Sequence, residues 1–218
     1  MQKEKRERRG YCISLEGGEG SGKSTVIRAI ASHLEARGFK VLITREPGGV
    51  RIAERIREIL LDREHTEMDA RTEALLFAAA RRQHFVEKIL PGLERGAVVI
   101  LDRFLDSSLV YQGFARGIGI EEVERINDFA ILGFRPDLTL LLDVTPEVGM
   151  ARISSNPERE VNKLDLEQVA FHRKVREGYH ALLGRDGDRI VRIDADRGVE
   201  AVVADCIACI ERRVQVEA

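Results

Sequence analysis

From Leu15 to Val26 the chain reads LEGGEGSGKSTV, and Gly17 to Ser24 fit the spacing G-x-x-x-x-G-K-[ST]. Gly17, Gly18, Gly20 and Gly22 let successive backbone N–H groups turn inward around an anion that side chains would hold away. Lys23 is expected to reach the β- and γ-phosphates of a nucleotide and Ser24 to offer its hydroxyl to Mg²⁺, with Ser21 and Thr25 completing the cradle. A second group of chemical residues stands in LDRFLDSSLVYQG, where Asp102 is placed to orient Mg²⁺ or its water. Arg103 beside it suits a second phosphate brought up to the first, a reading preferred to the plainer one of a surface ion pair between the two. Arg45 and Glu46 in TREPGG close another strand, and Phe77 and Arg81 in LLFAAARRQH lie four apart on one helical face. Taken alone, Phe77 reads as core rather than ligand.

These groups need a frame that brings them together, and the pattern of the chain supplies one. YCISLE, KVLIT, AVVILD, DLTLLLDV and RIVRIDA are short runs rich in β-branched and other apolar residues. Between them lie helical periodicities at 26–37, about 50–61, 71–90 and 121–133, one opening at Pro146, and one at the C-terminal end. Strands that are apolar nearly throughout and separated by helices predict an α/β fold, a parallel five-stranded sheet covered on both faces. The first strand and first helix flank the glycine-rich turn, which is the setting that phosphate binding requires. SSNPEREVNK, residues 154–163, is polar and interrupts the late part of the chain; it is expected to be a short lid.

Composition narrows the partners. The 218 residues carry 35 Lys+Arg against 37 Asp+Glu, a formal charge of -2, so no general excess of positive charge points to nucleic acid or to an anionic membrane. Residues 1–10, MQKEKRERRG, are expected to be a disordered charged tail, and residues 11–218 a single domain of a size that buries its own core. No apolar run approaches the ~18 residues of a membrane span, and with only three cysteines the chain reads as cytoplasmic. Cys206 and Cys209 have the spacing of half a zinc site but no second pair, and they share helical spacing with Val202, Val203, Ile207 and Ile210; they are expected to be buried thiols.

EGGEGSGKST, TREPGG, LLFAAARRQH, DRFLDSSLVYQG and FHRKVREGY, in this order, resemble the thymidylate kinase family from Tyr11 to about Arg213. The resemblance implies a P-loop kinase fold and transfer of the ATP γ-phosphoryl group to dTMP with Mg²⁺, in a homodimer. It implies that Glu19 meets the sugar and the metal region, and that Arg45 and Arg103 hold the acceptor phosphate. Phe77 would stack on thymine, Arg81 would donate to a thymine carbonyl, and Ser108 and Tyr111 would stand near base and sugar; Glu46 and Gln112 belong to the same substrate site. Some members of the family carry an arginine in the P-loop where this chain has Gly20, whereas the others take basic residues from the lid. This chain falls in the second group, and the lid cation stays open among Arg152, Arg159 and Lys163. Two other functions stay open: a kinase for another nucleoside monophosphate would keep the sheet, the cradle and the lid but alter the base pocket, and a P-loop ATPase acting as a switch would have no use for Arg45, Phe77 and Arg103.

Overall fold

The computed structural model describes residues 10–155 and 167–213. All of the charged tail but Gly10 lies outside the described residues, and so do Arg159, Lys163 and the 154–163 segment beyond Ser155. Five strands, β1 (Tyr11–Glu16), β2 (Val41–Arg45), β3 (Val98–Asp102), β4 (Leu138–Asp143) and β5 (Ile190–Asp194), form one sheet in the order β2-β3-β1-β4-β5. Every pairing is parallel; Ile13 stands opposite Ile100 on one side and Leu138 on the other.

Because side chains alternate along a strand, each strand feeds two cores. Ile13, Leu15, Val98, Ile100, Leu138 and Leu140 point to one face, where α1 (Lys23–Ala36) and α9 (Val199–Arg213) cover them with Ile27, Ile30, Leu34, Val202 and Ile210. Cys206 and Cys209 sit in this core as free buried thiols, and burial pushes Cys206 up to about 12. Cys12, Val99, Leu101 and Leu141 point to the other face, against Phe85, Leu105, Leu109, Val175 and Tyr179. A side chain such as Ile30 or Leu105, with no exposed surface, contributes about 1.5–3 kcal/mol by leaving water. Both faces must therefore be covered, and the C-terminal strand ends are left as the open edge of the molecule.

The remaining helices are α2 (Arg51–Leu61), α3 (Ala70–His84), α4 (Leu90–Glu94), α5 (Leu105–Ser108), α6 (Ile120–Ile131), α7 (Pro146–Ser154) and α8 (Val169–Asp186). Asp69 caps α3 by accepting from the N–H groups of Arg71 and Thr72, and Thr145 caps α7. The helix expected over 71–90 is not one α-helix: a π-helical turn, Phe85–Ile89, joins α3 to α4. Pro91 has no N–H to give to the turn before it, so the α-ladder cannot run through this point, yet proline is tolerated in the first turn of α4. The segment after β3 departs further from expectation. No helical periodicity is expected between the AVVILD strand and residue 121, but α5 and a π-helical stretch, Leu109–Ala115, carry DSSLVYQG as one helical path. Leu105, Leu109 and Val110 are fully buried, and that burial drives the winding.

Candidate active site

The P-loop is shaped by close backbone approach. Gly22 enters α1 at φ 90°, and Gly20 has φ 69°. A Cβ on Gly20 would collide with the backbone of Gly149 in α7, and one on Gly149 would strike the carbonyl oxygen of Glu19. These two glycines let α7 lie directly on the phosphate loop. They also explain why Gly20 has no arginine in its place, since such a side chain would have to displace α7.

Lys23 is 8% exposed, and its ammonium donates to the carbonyls of Gly17 (3.2 Å) and Gly18 (3.0 Å) and to the hydroxyl of Ser21 (3.2 Å). Burial and the neighbouring Arg103 lower its pKa to about 8, against the opposing pull of Glu19, Asp102 and Glu16. The three acceptors of the ammonium are neutral, two carbonyls and a hydroxyl. Ser24 Oγ donates to Asp102 Oδ2 (3.1 Å), so the P-loop hydroxyl and the carboxylate ending β3 stand side by side.

Arg103 has a left-handed backbone at φ 67°, a costly conformation for a side chain of this size. Its guanidinium is fixed on several sides. Nη2 pairs with Glu19 Oε1 (2.6 Å), and Nη1 donates to the Gly17 carbonyl (3.0 Å), Ser107 Oγ (3.2 Å) and Tyr179 Oη (3.3 Å). Burial works against its charge, but Glu19 leads a group of partners that more than offsets it and holds the pKa well above the usual value. Tyr111 donates to the same Glu19 oxygen (3.2 Å), its ring faces the Arg103 guanidinium at 5.1 Å, and burial raises its pKa. Behind them Glu16 has no exposed surface. It accepts from Phe104 N (2.7 Å), Ser107 Oγ and Tyr179 Oη (2.9 Å), which locks the turn that presents Arg103.

A cavity of about 460 Å³ at these strand ends is lined by residues 19–25, Arg45, Glu46, Phe77, Arg81, Asp102, Arg103, Ser108, Tyr111 and Gln112. All four separated motifs therefore meet at one surface. Arg81 is only 2% exposed, and its guanidinium is held by Glu46 (2.7 Å from Nε), Ser108 (3.0 Å), Asn127 and the Phe104 carbonyl (3.1 Å). Glu46 gives its other oxygen to His84 (2.9 Å), and the far nitrogen of that ring meets Thr44 (2.8 Å). Glu46 thus braces Arg81 from behind. Arg45 is more open and pairs with both oxygens of Glu54 (3.0 and 3.1 Å).

Gly17 and Gly18 do not line the cavity and serve it through their carbonyls, as described for Lys23. Arg152 is not brought to it: its Nη1 donates to the Ala195 carbonyl (3.0 Å), beyond β5. Sequence reasoning missed Pro47, Arg57, Leu61, Phe104 and Ser107 in the lining. Arg57 could have been found, since it lies on α2, 12 residues after Arg45, but an arginine on an amphipathic helix carries no local sign of facing a ligand.

The profile of the family described as "Thymidylate kinase" matches residues 15–206. A thymidylate kinase of Geobacillus thermodenitrificans is 59% identical over 94% of this chain and 92% of its own length. One from another Geobacillus species is 55% identical over 95% and 99%. The crystal structure of thymidylate kinase from Ehrlichia chaffeensis superposes with a TM-score of 0.75 at 29% identity, covering 93% of this chain and 98% of that one. With the phosphate loop, the strand-end arginines and the buried Arg81 framework all inside the matched span, this chain belongs to the thymidylate kinase family.

Proposed function

We propose that the residues around this cavity transfer the γ-phosphoryl group of ATP to dTMP, giving dTDP and ADP, within one catalytic domain. One observation carries the reading: a single cavity is lined at once by a phosphate loop and by Phe77, Arg81 and three arginines. Two anionic nucleotides then meet in one place. The Lys23 ammonium and the P-loop N–H groups take the donor phosphates, while Arg45 and Arg103 aim the acceptor phosphate oxygen, with Arg57 as a third cation in the lining. That oxygen attacks the γ-phosphorus as the bond to the β-phosphate oxygen breaks. The acceptor is already an anion, so no general base is needed, and catalysis rests on alignment and charge neutralisation.

Phe77 offers a ring to the pyrimidine. Arg81, its guanidinium fixed by buried partners on several sides, offers a donor whose direction is set before substrate arrives. Glu19 holds Arg103 and Tyr111 beside the acceptor sugar. Mg²⁺ fits the donor set, because Ser24 Oγ and Asp102 Oδ2 are hard oxygens already adjacent. No group of three acidic, His or Cys side chains gathers among the described residues, so the phosphates themselves would complete the ion's shell. When bound, the ion supplies positive charge to the transferring phosphates.

The chain is further read as a homodimer. Ile52, Ile59, Leu75, Phe129 and Leu132 are exposed on or beside α2, α3 and α6, with Phe129 88% exposed, and an apolar surface of this kind favours a partner. Free buried cysteines suit the cytoplasm, and no described helix is long and apolar enough to cross a membrane. The test is ADP release measured with and without dTMP and across a panel of other nucleoside monophosphates. Dependence on dTMP supports the reading. A preference for another monophosphate moves the base pocket to that substrate, and ATP consumption indifferent to every acceptor leaves only the ATPase switch.

A further inference from the structure

Glu73 is a carboxylate that the chemistry above does not use. It lies in the first turn of α3, 3% exposed, and one of its oxygens accepts from Gln112 Nε2 (3.0 Å) and Arg116 Nε (3.5 Å). Arg116 is held in turn by Glu167 (2.6 Å) and by the Phe171 ring, 4.6 Å below its guanidinium. Glu73 is thus a buried acceptor fixed from two sides.

A carboxylate facing a cation can only accept, so the Gln112 carboxamide must turn its nitrogen toward Glu73 and its oxygen away. Gln112 lines the cavity. Among the described residues the only buried side-chain nitrogen or oxygen without a partner is His172 Nε2. Gln112 Oε1 receives no bond from any of them, and so it opens on the cavity. A carboxamide is nearly symmetric in shape, and without an acceptor-only neighbour it would offer oxygen and nitrogen about equally.

We propose that Glu73 is a positioning residue for base specificity. By fixing Gln112 with its oxygen inward, it sets an acceptor beside the Arg81 donor. That pair fits a pyrimidine with a C4 carbonyl and an N3–H. It opposes one with a C4 amine and a bare N3, because donor would meet donor and acceptor would meet acceptor. The inference rests on the reading that this cavity takes the base of dTMP.

The test compares wild type, Glu73→Gln, Gln112→Ala and the double variant for kcat and KM with dTMP and dCMP, with urea unfolding of each. Glutamine at 73 can donate as well as accept, so it frees the Gln112 carboxamide to flip. The preference for dTMP over dCMP is expected to narrow about tenfold in Glu73→Gln, the worth of roughly one hydrogen bond. The change should fall on the KM for dTMP, with kcat little altered. In the Gln112→Ala background, Glu73→Gln should add nothing further. Arg81 still opposes the amine, so the preference narrows without inverting.

An equal loss for both nucleotides, an unchanged preference, or the same effect without Gln112 overturns the inference. A wild type that fails to phosphorylate dTMP overturns the functional reading instead, and the two failures are told apart in one data set. Should Glu73→Gln not fold, Glu73→Asp, which draws the carboxylate back by one methylene, takes its place with the same expectation.

Discussion

Lys23 offers a prediction in which the proton itself is the reporter. In the free protein its pKa is lowered from 10.5 to about 8. At about 1.36 kcal/mol per pKa unit, the protein disfavours the charged lysine by roughly 3 kcal/mol. Desolvation and Arg103 cause this, and Glu19, Asp102 and Glu16 only partly relieve it. Bound triphosphate would bring negative charge to the ammonium and favour its charged form. The pKa in the complex must then lie above that of the free protein, so binding takes up a proton in the window between them. The sign follows: ATP affinity is full below about pH 8 and declines as pH rises through it.

With a free-state pKa near 8, Kd should rise about tenfold from pH 7 to pH 9, and about half a proton should be taken up per ATP at pH 8. Of the other displaced groups nearby, Arg103, Tyr111 and Tyr179 are moved upward, away from this range, whereas burial raises the Glu16 carboxyl toward it, so the assignment to Lys23 rests on the Lys23 variant. The γ-phosphate of ATP has already lost its last proton there. Calorimetry with a non-hydrolysable ATP analogue, in buffers of different ionisation enthalpy, measures both quantities. Lys23→Arg, whose guanidinium stays charged, should lose the pH dependence. An equal Kd at pH 7 and pH 9, with an enthalpy independent of buffer, would refute the reasoning.

Glu46→Gln removes the charge partner of a guanidinium that is 2% exposed, and should destabilise the fold by about 3 kcal/mol or more; a loss under about 1 kcal/mol in urea unfolding would show that Ser108, Asn127 and the Phe104 carbonyl hold Arg81 unaided. Gly20→Ala forces a Cβ onto Gly149 at positive φ, so it should cost about 1–3 kcal/mol of stability and weaken ATP binding; unchanged unfolding and an unchanged KM for ATP would mean that α7 does not rest on the P-loop in solution. Arg152→Ala should keep kcat within about tenfold, because its guanidinium is engaged by the Ala195 carbonyl outside the cavity. A fall of about 10³, the size of an arginine-finger effect, would show that Arg152 leaves that carbonyl during turnover.

The order of strands, helices and phosphate loop was legible because each rests on a local signal: short runs rich in apolar residues for β1 and β3, glycine spacing for the P-loop, helical periodicity for α1 and α9. Meeting at one cavity was legible too, since open parallel sheets gather their ligands at the C-terminal strand ends. What stayed hidden depends on partners far along the chain. The brace from Glu46 to Arg81 spans 35 residues and the one from Glu73 to Gln112 spans 39. Tyr179 reaches Glu16 across 163. In the sequence Glu73 is one more acidic residue in the first turn of a helix, where helix electrostatics alone would account for it. Only its burial, and the amide nitrogen turned toward it, separate a helix-end charge from a group that can decide which base is read. The second layer of the site was invisible for this reason: its residues act through what they hold, and holding is a property of packing that no spacing in the chain records.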